Sequence, residues 1–492
     1  MIHLYRFKDK NILLDVNSGA VHEVSDVVFD ALSVFSDLAY RLKDDETSED
    51  SAANIGELTE RARWERAKPA IFAALRDPHS AKNRESATIR EAIEELDALS
   101  DAGMLFSEDV LDRDDLLEER GAAIKAMCLH VAHDCNMRCV YCFGDEGSFF
   151  GERTLLSEET GKKAIDFLLA QSGTRRNLEI DFFGGEPLMN FEVVRALVRY
   201  GKERGQICGK RIRFTLTTNG LLLDEKKEEF LNEHMDNVIL SIDGRPEVND
   251  IMRKTPSGEG TYRSVIENYR RFCKNRRGLC YVRGTYTARN KDFSRDVEHL
   301  ADMGFERISV EPVVADGDRD FALRESDLPE LMREYDRLTD LCADRERSGR
   351  PISFFHFDVD LTQGPCVYKR AAGCGAGTEY VAVSPEGDIY PCHRFVGESD
   401  FRVGNVREET FENGLYDVFN RAHIRNKEAC AACWAKFYCS GGCHANAKHE
   451  NGDIMKPYAL GCALEKKRLE CAIGLNVFRC ESYCNREEGM LR

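Results

Sequence analysis

Three cysteines in one short stretch define the chemistry this chain can do. Cys135, Cys139 and Cys142 stand within CLHVAHDCNMRCVYCFGD, from Cys128 to Asp145, in the spacing C-x3-C-x2-C. Thiolates hold iron–sulfur clusters, and three of them on a four-iron cluster leave one iron without a protein ligand. Such an iron can bind a small molecule, here one open to reductive cleavage. Zinc is the competing use of these cysteines, but zinc sites want four ligands in close pairs. Zinc also leaves unexplained the run DFFGGEP, Asp181 to Pro187. There Gly184 and Gly185 let the backbone approach a ligand closely, and Glu186, just before Pro187, can accept from an ammonium group. A second cysteine field begins at Cys366 and Cys374 and continues through GDIYPC, ending at Cys392. Cys430, Cys433, Cys439 and Cys443 follow as C-x2-C-x5-C-x3-C, and Cys462 closes the set. These eight thiols can fill two four-iron clusters; two structural zincs would need the same residues.

Positioning these groups requires a scaffold, and the sequence from residue 126 onward reads as one. Strands are expected near 126–131, 178–183, 211–217, 238–242, 279–287 and 307–312. Helical patterns separate them at 158–171, 191–204, 225–234, 262–274, 293–303 and 328–346. Ser157 suits an N-cap, with Glu158 and Glu159 in the first turn. Six βα units imply an α/β fold with a parallel sheet and helices outside it. Six are too few to close an eight-stranded barrel, so an open, partial (β/α)6 barrel is expected, with its chemistry at the C-terminal strand edge. Thr217, with Thr218 and Asn219, ends the third strand on that edge. Ser241 and Asp243 end the fourth, and Arg283 and Glu311 lie on the fifth and sixth.

Before this scaffold, residues 2–24 read as three short strands with turns at Asp9–Lys10 and Asn17–Gly19. A helix follows with Val27, Val28, Leu32 and Phe35 on one side, and another spans about 87–102. An acidic, apolar-poor stretch lies between Lys43 and Ala53. The expected division is 1–108, 109–350 and 351–492.

At 492 residues, 42% hydrophobic and 32% charged, the chain is expected to be soluble and to fold as two or three domains. No apolar run is long enough to span a bilayer and no secretory signal is apparent, so a cytoplasmic location is expected, with no membrane partner. Nineteen cysteines in a reducing compartment speak for metal ligation over disulfides. A formal charge of −18 argues against nucleic-acid binding, which relies on basic patches. Outside the two cysteine fields, Cys128, Cys208, Cys273, Cys280 and Cys342 read as buried apolar thiols. Cys480 and Cys484 form a tail pair without evident partners.

The three-cysteine loop, with Tyr141 before its last cysteine and DFFGGEP downstream, resembles the radical S-adenosylmethionine (SAM) enzymes. In that family the open iron holds the amino and carboxylate groups of SAM, and the reduced cluster splits it to a 5'-deoxyadenosyl radical. The resemblance implies that the GGEP run binds the SAM amino group, and it makes Tyr141, Thr217, Ser241, Asp243 and Arg283 candidate SAM contacts, Ser241 for the ribose and Arg283 for the carboxylate. The C-terminal cysteines resemble the SPASM extension of radical SAM peptide maturases. That pattern assigns Cys430, Cys433, Cys439 and Cys462 to an outer auxiliary cluster and Cys374, Cys392 and Cys443 to an inner one, so that the chain would carry three [4Fe-4S] clusters. Cys366 either completes the inner cluster or leaves its iron for a substrate thiolate.

The first hundred residues resemble the winged-helix-like element that holds a leader peptide by adding it to a sheet edge. With the GCGAGTEY run at Gly373 to Tyr380, the chain resembles, essentially end to end, the thioether-forming maturases of SCIFF peptides, short cysteine-rich ribosomal precursors. The reaction so implied is hydrogen abstraction from an α-carbon, with threonine as acceptor, and bonding of a cysteine sulfur to it, with flavodoxin or ferredoxin as external one-electron reductant. An anaerobic sulfatase maturase, another crosslinking or epimerising peptide enzyme, and a three-cluster electron carrier are the rival readings.

Overall fold

Apolar strands with amphipathic helices between them assemble here into one large sheet. The computed structural model describes residues 1–45, 59–80, 82–109, 123–361, 367–412 and 414–490. Cys366, much of the acidic stretch and the connector after Asp109 lie outside the described residues, as do the side chains of Cys480 and Cys484.

Along the chain the strands are β1 (Ile2–Phe7), β2 (Lys10–Asp15), β3 (Val21–Val24), β4 (Ala126–Ala132), β5 (Arg138–Cys139), β6 (Asn177–Gly184), β7 (Arg211–Thr218) and β8 (Asn237–Ser241). They continue as β9 (Arg253–Lys254), β10 (Leu279–Tyr286), β11 (Arg307–Pro312), β12 (Ser353–Phe354), β13 (Tyr380–Val383), β14 (Asp388–Tyr390), β15 (Gly404–Asn405) and β16 (Thr410–Phe411). The large sheet has the order β12-β11-β10-β8-β7-β6-β4-β13-β14-β15-β16. Its six expected strands, β4, β6, β7, β8, β10 and β11, are all present and parallel. Helices Glu158–Gln171, Phe191–Ile207, Glu225–His234, Tyr262–Asn275, Ser294–Asp302 and Leu328–Arg347 follow them in turn. The Ser157 hydroxyl caps the first, accepting from the Thr160 amide at 3.1 Å.

Two additions were not visible in the pattern. β12 extends the sheet beyond β11, and β13 pairs parallel with β4 on the opposite side. The sheet therefore runs across position 351, and the cysteine-rich region is fastened to the barrel through β13. On β4, Met127, Leu129 and Val131 enter the main core with Ile165 and Leu168, while Cys128 packs in a separate cluster with Tyr390 and Val396, as strand alternation requires. Because parallel strands share a direction, the loops after β4, β6, β7 and β8 all leave the same edge.

β1, β2 and β3 form an antiparallel sheet packed on helices Asp26–Asp45, Glu60–Leu75 and Ser86–Asp101 around Leu13, Val28, Phe35, Trp64, Ile71 and Leu96. β1 also meets the C-terminal helix, Ala459–Met490. The His3 ring stacks on Trp434 with centroids 3.7 Å apart, His3 Nε2 lies 3.0 Å from a Glu470 carboxylate oxygen, and the Tyr5 hydroxyl donates to the Glu470 carbonyl at 3.1 Å. Trp434 directly follows Cys433, so the N-terminal sheet sits against the second cysteine field.

Candidate active site

The loop after β4 carries Cys135, Cys139 and Cys142, all half-buried and free. Its middle is pinned as β5, which pairs antiparallel with β9 so that Cys139 faces Arg253 across the ladder. Beyond Cys142 the backbone enters the left-handed region at Asp145 and Glu146 (φ 47° and 54°) and again at Phe149 and Phe150 (φ 51° and 63°). Non-glycine residues hold such values only when their surroundings enforce them, and such strain gathers at functional sites. The turn aims the amides of Gly144, Gly147 and Glu146 at the Cys142 sulfur, opposing the upward push of burial on its pKa. A nest of amides of this kind suits an anionic sulfur. Cys135 receives the Met137 amide at 3.4 Å and the Asn219 side-chain amide at 3.6 Å.

Burial first, then Glu186 and the other two thiols, pushes the Cys135 pKa up to about 12. Burial raises Cys139 to about 11 against the pull of Arg253. As bare thiols the three therefore hold their protons, whereas metal binding releases them. Three thiols on one loop, one of them in an amide cradle, are the donor chemistry a four-iron cluster takes.

Gly184 and Gly185 do allow a close approach, but it is to the cysteine loop itself. The Gly185 amide donates to the Ala132 carbonyl at 2.7 Å and the Glu186 amide to the Asp134 carbonyl at 2.9 Å. A Cβ on Gly184 would lie 2.2 Å from the Ala132 oxygen, and one on Gly185 2.1 Å from the Asp134 oxygen. Glu186 is buried and accepts from the Leu188 amide (2.9 Å), the Thr218 hydroxyl (2.8 Å) and the Asn219 amide (2.7 Å). It therefore ties the GGEP run, closed by buried Pro187, to the end of β7. Thr218 and Asn219, rather than Thr217, reach Glu186.

At the end of β8 the Ser241 carbonyl accepts from Tyr269 at 3.1 Å. Asp243 is fully buried; its oxygens accept from the Tyr141 hydroxyl at 2.8 and 2.7 Å and from the Thr285 amide at 3.1 Å. Tyr141 and Asp243 thus meet directly. Arg283 and Glu311 pair with each other at 2.8 Å on neighbouring strands.

The C-terminal thiols gather as two groups. Burial pushes the Cys392 pKa up to about 12, with Cys374 and Cys443 adding to the rise, and Cys443 likewise raises Cys374. Cys430 is raised by burial and then by Cys462 and Cys433, against Lys427. Cys439 is pushed to about 12 by burial, with Glu465, Cys462 and Cys430 adding. Between Cys439 and Cys443 the residues Ser440, Gly441 and Gly442 are all left-handed (φ 58°, 88° and 72°), which turns the chain sharply ahead of Cys443.

Two iron–sulfur family models match these same regions: a 4Fe-4S single cluster domain over residues 121–267 and an iron-sulfur cluster-binding domain, SPASM, over 374–434. The chain thus carries a radical SAM domain and a SPASM domain. The cysteine-type anaerobic sulfatase-maturating enzyme of Clostridium perfringens is 26% identical over 352 residues, covering 66% of this chain and 90% of that protein. Radical SAM cyclopropyl synthase TigE of Paramaledivibacter caminithermalis is 24% identical over 384 residues, 73% of this chain and 77% of that protein. Among solved structures, native anSMEcpe with bound AdoMet superposes with a TM-score of 0.59 at 21% identity, over 72% of this chain and 98% of that one. Streptococcus suis SuiB bound to precursor peptide SuiA superposes with a TM-score of 0.50 at 17% identity, over 94% and 98%. These structures share the fold.

Across the radical SAM and SPASM sites, two residues have no counterpart in the motifs read from sequence. Arg253 is buried beside Tyr141 and Asp243. Lys427 is fully buried among the SPASM thiols, its ammonium donating to the Gly441 carbonyl at 2.9 Å. Neither stands in a recognisable spacing; a lysine three residues before Cys430 was the one available hint. Cys208, expected to be buried, is exposed at a helix end. Cys273 and Cys280 are half-buried, their sulfurs 3.2 Å apart, while Cys128 and Cys342 are buried. Among the described residues no helix is long and apolar enough to cross a membrane.

Proposed function

We propose that this radical SAM protein is a maturase that forms thioether bonds, between cysteine sulfur and an α-carbon, in a ribosomally made, cysteine-rich precursor peptide of the SCIFF type. The observation that carries this reading is the N-terminal three-stranded sheet with its helices, built against the SPASM thiols through His3, Trp434 and Glu470. The superposition on SuiB with its precursor peptide reaches 94% of this chain, against 72% for anSMEcpe, in keeping with an added peptide-binding element.

In this reading Cys135, Cys139 and Cys142 hold the first cluster, which when bound supplies one-electron cleavage of SAM to a carbon-centred radical source. Cys430, Cys433, Cys439 and Cys462 hold the outer auxiliary cluster. Cys374, Cys392 and Cys443 hold the inner one, with Cys366 either completing it or leaving an iron for the substrate sulfur. Asn219 and the Met137 amide orient Cys135, and the amides after Cys142 offset part of the burial that pushes its pKa up, so that its thiolate is stabilised once metal binding has released the proton. Glu186 fixes the ends of β6 and β7 at a constant separation, so that the strand-end carbonyls, Ser241 and the GGEP backbone present one rigid surface to SAM. An outer edge of the β1–β2–β3 sheet takes the leader as an added strand, which raises the local concentration of the core peptide. The acceptor is expected to be threonine, the reductant a flavodoxin or ferredoxin, and the compartment the cytoplasm, where free thiols persist.

Mass spectrometry of the short cysteine-rich peptide after reaction tests the proposal. Each bridge should remove two hydrogens and one alkylatable thiol while keeping the sulfur, and a peptide trimmed of its leader should react at least about tenfold more slowly. The sulfatase maturase structure superposes at higher identity than SuiB, 21% against 17%, and favours a second reading, formylglycine formation, in which the sulfur of a cysteine is lost. A product without that sulfur would replace the thioether reading with this one.

A further inference from the structure

Arg253 is held in place more firmly than an ordinary surface arginine. It opens β9 opposite Cys139, and its carbonyl accepts from the Thr261 hydroxyl at 2.8 Å. Thr261 is itself fixed by the Asn249 side chain at 3.2 Å and, through its amide, by Asp250 at 2.9 Å. The guanidinium is buried. Its Nη1 donates to the Tyr141 hydroxyl at 2.9 Å and lies 3.7 Å from an Asp243 oxygen. Tyr141 stands between Cys139 and Cys142, so the arginine reaches the cluster loop both across the ladder and through the phenol.

A guanidinium never sheds its proton in a protein, and a buried charge is costly without an opposite one. The carboxylate nearest to it is shared, since Asp243 also accepts from Tyr141 and Thr285. The sulfur ligands and what they hold add further negative charge near it, since Cys139 faces Arg253 across the ladder. A four-iron cube carried by three thiolates goes from one net negative charge to two when an external one-electron donor reduces it, with no bond made or broken in the protein.

We propose that Arg253 is a positioning residue that sets the reduction potential of the SAM-cleaving cluster: its fixed charge favours the reduced state, and Asp243 opposes it. This rests on Cys135, Cys139 and Cys142 holding that cluster. At short range and an intermediate dielectric, one charge alters the balance of reduced to oxidised cluster by between about tenfold and a hundredfold. Arg253→Gln should lower the midpoint accordingly, by about 59 mV for each factor of ten. Asp243→Asn should move it the opposite way.

The test is potentiometric titration of anaerobically reconstituted wild type, Arg253→Gln and Asp243→Asn, with iron content matched. The SAM-binding cluster is identified by the change that SAM makes in its electron paramagnetic resonance signal. Opposite shifts support the assignment; a loosened loop would instead move both variants the same way, and equal, same-sign or absent shifts overturn it. If Arg253→Gln takes up no iron, the Asp243→Asn shift decides alone, upward in favour and otherwise against. A wild type without any SAM-sensitive signal would refute the cysteine assignment itself, a different result from a sensitive signal whose potential ignores both charges.

Discussion

Exchanging Cys142 alone for alanine is expected to abolish 5'-deoxyadenosine formation as fully as exchanging Cys135, Cys139 and Cys142 together. The three sulfurs act as one ligand set, and groups that act as a unit are far from additive. Each is held by a different device, Cys135 by Met137 and Asn219, Cys139 by the ladder to β9 and Cys142 by its amide cradle. Chromatography of anaerobic mixtures with SAM and dithionite should show a fall of on the order of a thousandfold or more in every single variant. A graded series, with the triple variant far below the singles, would contradict this.

Gly185→Ala is expected to be strongly damaging without removing a ligand. The added methyl would meet the Asp134 carbonyl oxygen at 2.1 Å and Cys135 Cβ at 3.2 Å, and the carbonyl is backbone, with no side-chain rotation to relieve it. Overpacking usually costs about 1–3 kcal/mol, more where nothing can yield. Relief here means pushing the cysteine loop away from β6, breaking the Gly185 to Ala132 and Glu186 to Asp134 bonds and disturbing Cys135. The variant should unfold at lower denaturant and bind at least about tenfold less SAM. Wild-type SAM affinity with full iron content would show the contact to be dispensable.

The six-unit barrel was legible because strand patterns, continuous in β4 and alternating apolar with polar residues in β6 and β7, take turns with helical patterns along the chain. What was hidden is short or made by pairing at a distance. β5, β9 and β12 have two residues each, too few to show a period. The helix Glu60–Leu75 was missed because Pro69 and many charges obscure its stripe of Trp64, Ala67, Ile71 and Leu75. Motif spacing located Tyr141, Glu186 and Asp243, but not that Tyr141 bonds Asp243 or that Arg253 closes the network. Arg283 looked like a ligand for a carboxylate, and its partner in the structure is Glu311. The glycines of the GGEP run were read as admitting a ligand to the backbone; in the structure they admit the backbone of the cysteine loop, a tertiary contact invisible in a linear pattern. Nor could C-x2-C-x5-C-x3-C alone reveal the sharp turn before Cys443, which depends on three successive left-handed residues.

The account depends above all on the first loop holding a cluster that SAM can reach. Replacing the SPASM cysteines Cys374, Cys392, Cys430, Cys433, Cys439, Cys443 and Cys462 by alanine and reconstituting the protein anaerobically isolates that loop. About four irons per chain should remain, with a paramagnetic signal on reduction that changes when SAM is added. Loss of all iron, or a four-iron signal indifferent to SAM, would contradict the account.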